Sequence, residues 1–162
     1  MDGTTAVTDW VGPVSFTLDA DAPNVVTLLE TTDTDTESPT FNWQLDGTAA
    51  NATYFNVVLA NNAGAILLNE WYTRDATCGN STDCELDSPV PLVNASDYAL
   101  YIQSYGPGGI SVDPTDGDGY TGPETFDVNI PTPEPLSPEG VVDAPTGNPT
   151  YTWVAVDGAS HY

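Results

Sequence analysis

The stretch Pro39-Thr40-Phe41-Asn42-Trp43-Gln44-Leu45-Asp46-Gly47 decides the fold class. Phe41, Trp43 and Leu45 occupy every second position and are separated by polar residues. That period of two places the large apolar side chains on one face of a strand. Asp46-Gly47 then signals a turn. The stretch also returns. Pro149-Thr150-Tyr151-Thr152-Trp153 lies 110 residues downstream of Pro39-Thr40-Phe41-Asn42-Trp43. Trp10-Val11-Gly12-Pro13-Val14-Ser15-Phe16 returns at the same offset as Tyr120-Thr121-Gly122-Pro123-Glu124-Thr125-Phe126, and Pro23 as Pro133. A constant period marks an array of like units.

Working outward, the same alternation and the same turn residues partition one full period. Strands are expected at Asn24–Glu30, Thr40–Leu45, Thr53–Ala60, Ala65–Thr73, Glu85–Val90, Tyr98–Ile102 and Thr125–Ile130. On the third, Tyr54 and Val58 are expected to face inward. Asn61-Asn62-Ala63-Gly64 reads as a hairpin turn and Gly106-Pro107-Gly108-Gly109 as a loop. Pro89 breaks the fifth strand and suits an edge position. No segment carries a helical period of useful length. Seven short strands in about 110 residues predict an all-β fold of two packed sheets. Residues 1–18 then read as the closing strand of a preceding unit and 19–130 as a complete one. Residues 131–162 read as a linker plus the first strands of the next. Four prolines between Pro131 and Pro138 predict an extended, semi-rigid connector.

Composition narrows the function. The 162 residues hold 24 acids and one base, Arg74, for a formal charge of −23. Such a surface repels nucleic acid and anionic membranes. No apolar run is long enough to span a bilayer as a helix. Three features place the chain outside the cell or on its surface. Cys78 and Cys84 form an isolated pair, and sequons occur at Asn51, Asn80 and Asn94. Thr31 to Thr40 has the hydroxyl-rich composition of an O-glycosylated stretch. Met1 is followed by polar residues, so the export signal is expected upstream.

Each candidate site has a competing structural explanation. Cys78 and Cys84 lack the further Cys or His ligands of a metal site, the single histidine being His161. A structural disulfide pinning a surface turn rather than the core is expected, with an entropic gain of about 2 kcal/mol. Trp43, Trp153, Tyr98 and Phe126 read as core. Trp71 and Tyr72 are adjacent, so one must point outward, as a packing surface or a sugar contact. Asp113, Asp116 and Asp118 resemble a calcium loop, although their spacing departs from the EF-hand pattern. Asp33, Asp35 and Glu37, or Asp19 and Asp21, are weaker cation candidates. Calcium is the one candidate cofactor. A Ser-His-Asp or Cys-His catalytic site needs a well-placed histidine, and no phosphate loop occurs, so the chain reads as a non-enzyme.

Leu92-Val93-Asn94-Ala95-Ser96-Asp97-Tyr98 resembles the fibronectin type III signature, a leucine six residues before the tyrosine that opens strand F. Trp43 matches that family's strand B tryptophan. The order Pro39-Thr40-Phe41-Asn42-Trp43, Trp71-Tyr72, Cys78…Cys84, Leu92…Tyr98, then Tyr120…Phe126 is similar to tandem fibronectin type III/Ig-like repeats of large secreted bacterial surface proteins. The resemblance implies an Ig-like/fibronectin type III-like β-sandwich repeated in tandem, with spacing, adhesive or carbohydrate-associated roles. The acidic loop Asp113–Gly119 and the near absence of basic residues depart from it. The expected function is an extracellular structural repeat protein forming a rod, fibre or surface appendage. Its expected partners are neighbouring copies or repeats of itself, and glycans. The alternative is a carbohydrate-binding or adhesive module of a larger secreted protein.

Overall fold

A computed structural model describes residues 20–113, 117–137 and 150–156. The expected closing strand in 1–18, Asp19, Asp116 and His161 lie outside the described residues. What is described is mostly antiparallel β-structure. Among the described residues, helix is confined to a 3-10 turn at Gly47–Asn51 and one short helix, α1, at Arg74–Thr77.

Two antiparallel sheets carry the core. The first has the order β1-β2-β5, with β1 at Thr27–Leu28, β2 at Thr40–Gln44 and β5 at Asp83–Asp87. The second runs β4-β3-β6, from β4 (Ile66–Thr73) through β3 (Tyr54–Ala60) to β6 (Ala95–Gly106). β6 pairs in addition with β7 (Gly109–Ile110) and β8 (Tyr120–Val128). A separate pair joins β9 (Pro135–Ser137) to β10 (Thr152–Trp153).

The alternation of β2 does what the sequence demands. Phe41 and Trp43 are fully buried and Leu45 nearly so. They meet the other sheet ring against ring. Trp43 sits edge-on to Phe55 with centroids 5.4 Å apart, and Phe41 lies 5.9 Å from Phe126. Tyr98 stacks on Phe126 at 5.5 Å. Val57, Leu59, Leu100, Ile102 and Val128 complete this shared interior. Rings from two sheets interlocking across one layer fill irregular space without voids, and large aromatics dominate such cores energetically.

The outer side of β2 handles charge without bases. Thr40, Asn42 and Gln44 stand opposite Asp87, Glu85 and Asp83 of β5. The Thr40 hydroxyl donates to Asp87 Oδ1 at 2.8 Å, and Gln44 Nε2 donates to Asp83 Oδ1 at 2.8 Å. Neutral donors thus hold carboxylates that have no lysine to pair with. The three acids lie on an edge strand, where charge also discourages further strand addition.

Several expectations shift. The first strand shrinks from Asn24–Glu30 to β1, because Asp33 adopts a left-handed conformation (φ 54°) and the chain turns before rejoining β2 through the Thr32–Thr40 bridge. The fifth strand moves from Glu85–Val90 to β5, at the sheet edge, and ends before Ser88 and Pro89. On β3 the faces are reversed: Phe55, Val57 and Leu59 point inward, whereas Tyr54 is exposed and Val58 half-buried. A one-residue error in phase exchanges the two faces of a strand.

The closing strand begins at Tyr120 rather than Thr125. Leu100 pairs with Glu124 and Ile102 with Thr121, so β8 carries one extra residue there, a bulge at Gly122-Pro123. Proline can occupy a bulge because no ladder hydrogen bond is asked of it. Gly122 has φ 135°, and a Cβ on it would lie 2.6 Å from the Leu100 carbonyl oxygen. Only glycine satisfies both constraints at position 122. Part of the stretch read from the sequence as an extended connector is paired. Pro135-Leu136-Ser137 is a strand, with proline tolerated as its first residue.

Candidate functional site

The outward face of the larger sheet is the most distinctive surface of the molecule. Cross-strand register places Thr73, Tyr54, Tyr105 and Ile110 in one row across β4, β3, β6 and β7. The next row holds Trp71, Asn56, Gln103 and Tyr120. A third holds Asn69, Val58 and Tyr101. None of these positions is charged, in contrast to the acidic outer edge of the first sheet.

Three rings on this face gather around a cleft of about 340 Å³: Tyr54, Trp71 and Tyr105. Their exposures are 43%, 48% and 42%. Tyr54 lies 6.3 Å from Tyr105 at 57°, and Trp71 lies 6.3 Å from Tyr105 at 82°. The rings are therefore tilted into a cradle instead of a flat platform. Beside them runs an amide network: Asn56 Nδ2 donates to Asn69 Oδ1 at 3.0 Å, and the Tyr120 hydroxyl donates to Asn56 Oδ1 at 3.0 Å. Asn56 is buried beneath the rings' row, and these two bonds meet its need for partners.

Of the adjacent pair Trp71 and Tyr72, Trp71 is the outward one. Tyr72 packs partly buried against the core, opposite Phe55. Its hydroxyl is held above the ordinary tyrosine pKa, first by desolvation and then by the nearby Glu70 carboxylate. The sequence pattern points Tyr54 to the interior and marks no site at Tyr105, yet both rings face outward. The readable signal for both was the register: Tyr54 pairs directly with Tyr105, and a mis-phased β3 hides that.

A second groove of about 410 Å³ adjoins the first, sharing Tyr54 and lined also by Asn51, Thr53, Thr73, Arg74 and Asp75. Arg74, the single cation, opens α1 and donates to the carbonyl oxygens of Ala50 and Ser81. The Thr73 hydroxyl caps α1 by accepting from the Ala76 amide. This short helix delivers Cys78 to Cys84, and the two form a disulfide. Both cysteines are buried in the core cluster, and Cys84 stands opposite Trp43 in the ladder. The expectation of a purely superficial staple is thereby corrected: the bond ties the loop to the core beneath Trp43.

The three sequons differ. Asn51 ends the 3-10 turn and is exposed; Asn80 is exposed within the disulfide loop. The Asn94 side chain is engaged on both sides, accepting from the Ile130 amide at 2.7 Å and donating to the Ile130 carbonyl at 3.0 Å. That amide closes the end of the sheet as a strand neighbour would.

Asp118 caps its own turn, its Oδ1 accepting from the Tyr120 amide at 2.8 Å, and the Asp113 carbonyl accepts from the Gly117 amide at 2.8 Å. Asp116 lies outside the described residues. Among the described residues, no cluster of three or more His, Cys, Asp or Glu is arranged to hold a metal ion. A pocket lined by Glu30, Asp97, Glu124 and Asp127 is acidic and open.

Comparison with protein-family models, curated proteins and solved structures returns no match to this chain.

Proposed function

We infer that the chain is part of an extracellular structural protein built from tandem Ig-like, fibronectin type III-like β-sandwich units of about 110 residues. The observation that carries this reading is the second strand pair. β9 and β10 associate antiparallel at positions whose 110-residue equivalents are 25–27 and 42–43. Those equivalents overlap β1 and β2, which pair antiparallel in the complete unit. An antiparallel pair thus recurs one period on, with its register shifted by two to three residues: Thr152 meets Ser137 and Trp153 meets Pro135, where Gln44 meets Thr27 and Trp43 meets Leu28.

Further support comes from the arrangement of the complete unit. Two antiparallel sheets of orders β1-β2-β5 and β4-β3-β6-β8 face each other, with the fourth strand in chain order joining the sheet of β3, β6 and β8. Tyr98 near the start of β6 donates its hydroxyl to the Val93 carbonyl at 3.0 Å. Such a bond matches the tyrosine corner of Ig-like sandwiches, which fastens the chain crossing between sheets, and so supports this reading. Leu92 is buried beside it. In such an array the function is mechanical: cores resist unfolding and Pro-rich connectors set the spacing. An exterior with 24 acids keeps the units hydrated and apart, and Arg74 is the one cleavage point for a trypsin-like protease.

Electron microscopy of the native particle tests the reading. The twelve residues of β6 span about 40 Å, so beaded rods with an axial repeat near that value plus a connector are expected. Dispersed single globules without axial repeat would overturn it.

A further inference from the structure

The sequon Asn51-Ala52-Thr53 is built into the wall of the aromatic cradle. The Thr53 amide donates to the Tyr105 carbonyl at 2.7 Å, and its hydroxyl donates to the same oxygen at 3.2 Å. The Asn51 backbone lies against Gly106, where an added Cβ would sit 2.7 Å from the Asn51 carbonyl oxygen. The acceptor is therefore held beside Tyr105 and three residues before Tyr54, the first residue of β3. Asn51 and Tyr54 line the same groove, and that groove runs into the cleft of Tyr54, Trp71 and Tyr105.

We propose that Asn51 carries an N-linked oligosaccharide whose first sugars lie on the cradle formed by Tyr54, Tyr105 and Trp71. The three half-exposed rings offer apolar faces, and the adjoining groove offers hydroxyl and charged partners at Thr53, Thr73, Arg74 and Asp75. A sugar matches this combination, being apolar on its C–H faces and polar at its rim. Charge selects this occupant over a second copy of the chain. At −23, two copies repel, whereas a neutral glycan tethered to the groove meets an uncharged sheet face. Tethering also makes docking intramolecular, so weak stacking suffices. The other two sequons lack this setting: Asn94 is engaged with Ile130, and Asn80 lies on the disulfide loop.

The modification is a group transfer. The Asn51 amide nitrogen attacks the anomeric carbon of a lipid diphosphate-linked oligosaccharide. A C–N bond forms, the anomeric C–O bond breaks, the lipid diphosphate departs with the electron pair, and one amide proton passes to the transferring enzyme's base. No oxidant or reductant is required. The inference rests on the extracellular reading, since such transfer accompanies export.

Glycopeptide mass spectrometry of the native protein, combined with hydroxyl-radical footprinting, tests it. The Asn51 peptide is expected to carry an oligosaccharide mass. Trp71, Tyr54 and Tyr105 are expected to be labelled several-fold less in native protein than after enzymatic removal of the glycan from the folded chain. Asn51→Gln should match the enzyme-treated protein, while buried Trp43 stays unlabelled throughout. A bare Asn51, or equal labelling of the three rings with and without glycan, overturns the proposal. So does protection that survives glycan removal, which would mean a second copy or a free polysaccharide covers the face. An exported, rod-forming protein with a bare Asn51 sinks this inference and leaves the proposed function standing. Retention of the chain inside the cell sinks that function.

Discussion

Replacing Tyr98 by phenylalanine separates the two things this residue does. The ring is buried (3% exposed) and stacked on Phe126, and the substitution keeps that contact. What is lost is one hydrogen bond, from the hydroxyl to the Val93 carbonyl at 3.0 Å. Val93 is exposed, so water can reach its carbonyl once the hydroxyl is gone. The cost should therefore be that of a single neutral bond, about 1 kcal/mol, without the larger penalty of a stranded buried acceptor. In a unit of this size that lowers the melting temperature by about 4–6 °C. Tyr98→Ala removes the ring as well and should cost about 4 kcal/mol, the range for emptying a large aromatic site. Chemical denaturation followed by far-ultraviolet circular dichroism gives both values on one scale. Two results would refute the reasoning. Tyr98→Phe as damaging as Tyr98→Ala would mean that the hydroxyl does far more than fasten one crossing. A neutral Tyr98→Phe would mean that the corner bond adds nothing.

Other outcomes follow from the same structure. Gly122→Ala forces a side chain into the Leu100 carbonyl from a positive-φ position and should destabilise by about 2 kcal/mol or more, read as a lower denaturation midpoint; an unchanged midpoint would sink the bulge argument. Reducing the Cys78–Cys84 bond, six residues apart in sequence, frees a small loop worth about 2 kcal/mol of chain entropy. Because both sulfurs are in the core, a thermal shift of about 8–12 °C is expected in place of the negligible shift a surface staple would give. Tyr72 favours its neutral form when folded, so its contribution to stability is fully present below the ordinary tyrosine pKa and declines as pH rises above it. Ultraviolet titration of wild type against Tyr72→Phe should reveal one tyrosine ionising late; a difference curve centred at the ordinary value would contradict that.

The residues that were legible in the sequence are those whose pattern is local. Phe41, Trp43 and Leu45 on one strand, and Tyr98, Leu100 and Ile102 on another, alternate cleanly and are buried as their spacing demands. The phase of β3 is not legible in its sequence, because Tyr54 to Ala60 is apolar at nearly every position and both faces look like a core. Phe55, Val57 and Leu59 turn inward because they meet Trp43 and the other sheet, a fact external to the strand. The bulge at Gly122-Pro123 was hidden for a similar reason: its cause is the approach of the Leu100 carbonyl, far away in sequence.

The same division applies to the candidate site. Asn51, Trp71 and the cysteine pair could be named from their types and spacing. That Tyr54, Trp71 and Tyr105 form one cradle, with Thr53 binding the sequon to its wall, depends on the register of three strands. By itself, the chain's order of residues determined an all-β character, a 110-residue period, an acidic exterior and the aromatic residues available for a core, because side-chain chemistry and two-residue alternation act over a few positions. Which aromatics enter the core, where the disulfide is anchored and what the outer sheet face presents were decided by tertiary structure, because cross-strand pairing joins residues as far apart as Tyr54 and Tyr105 and only packing chooses between a strand's two faces.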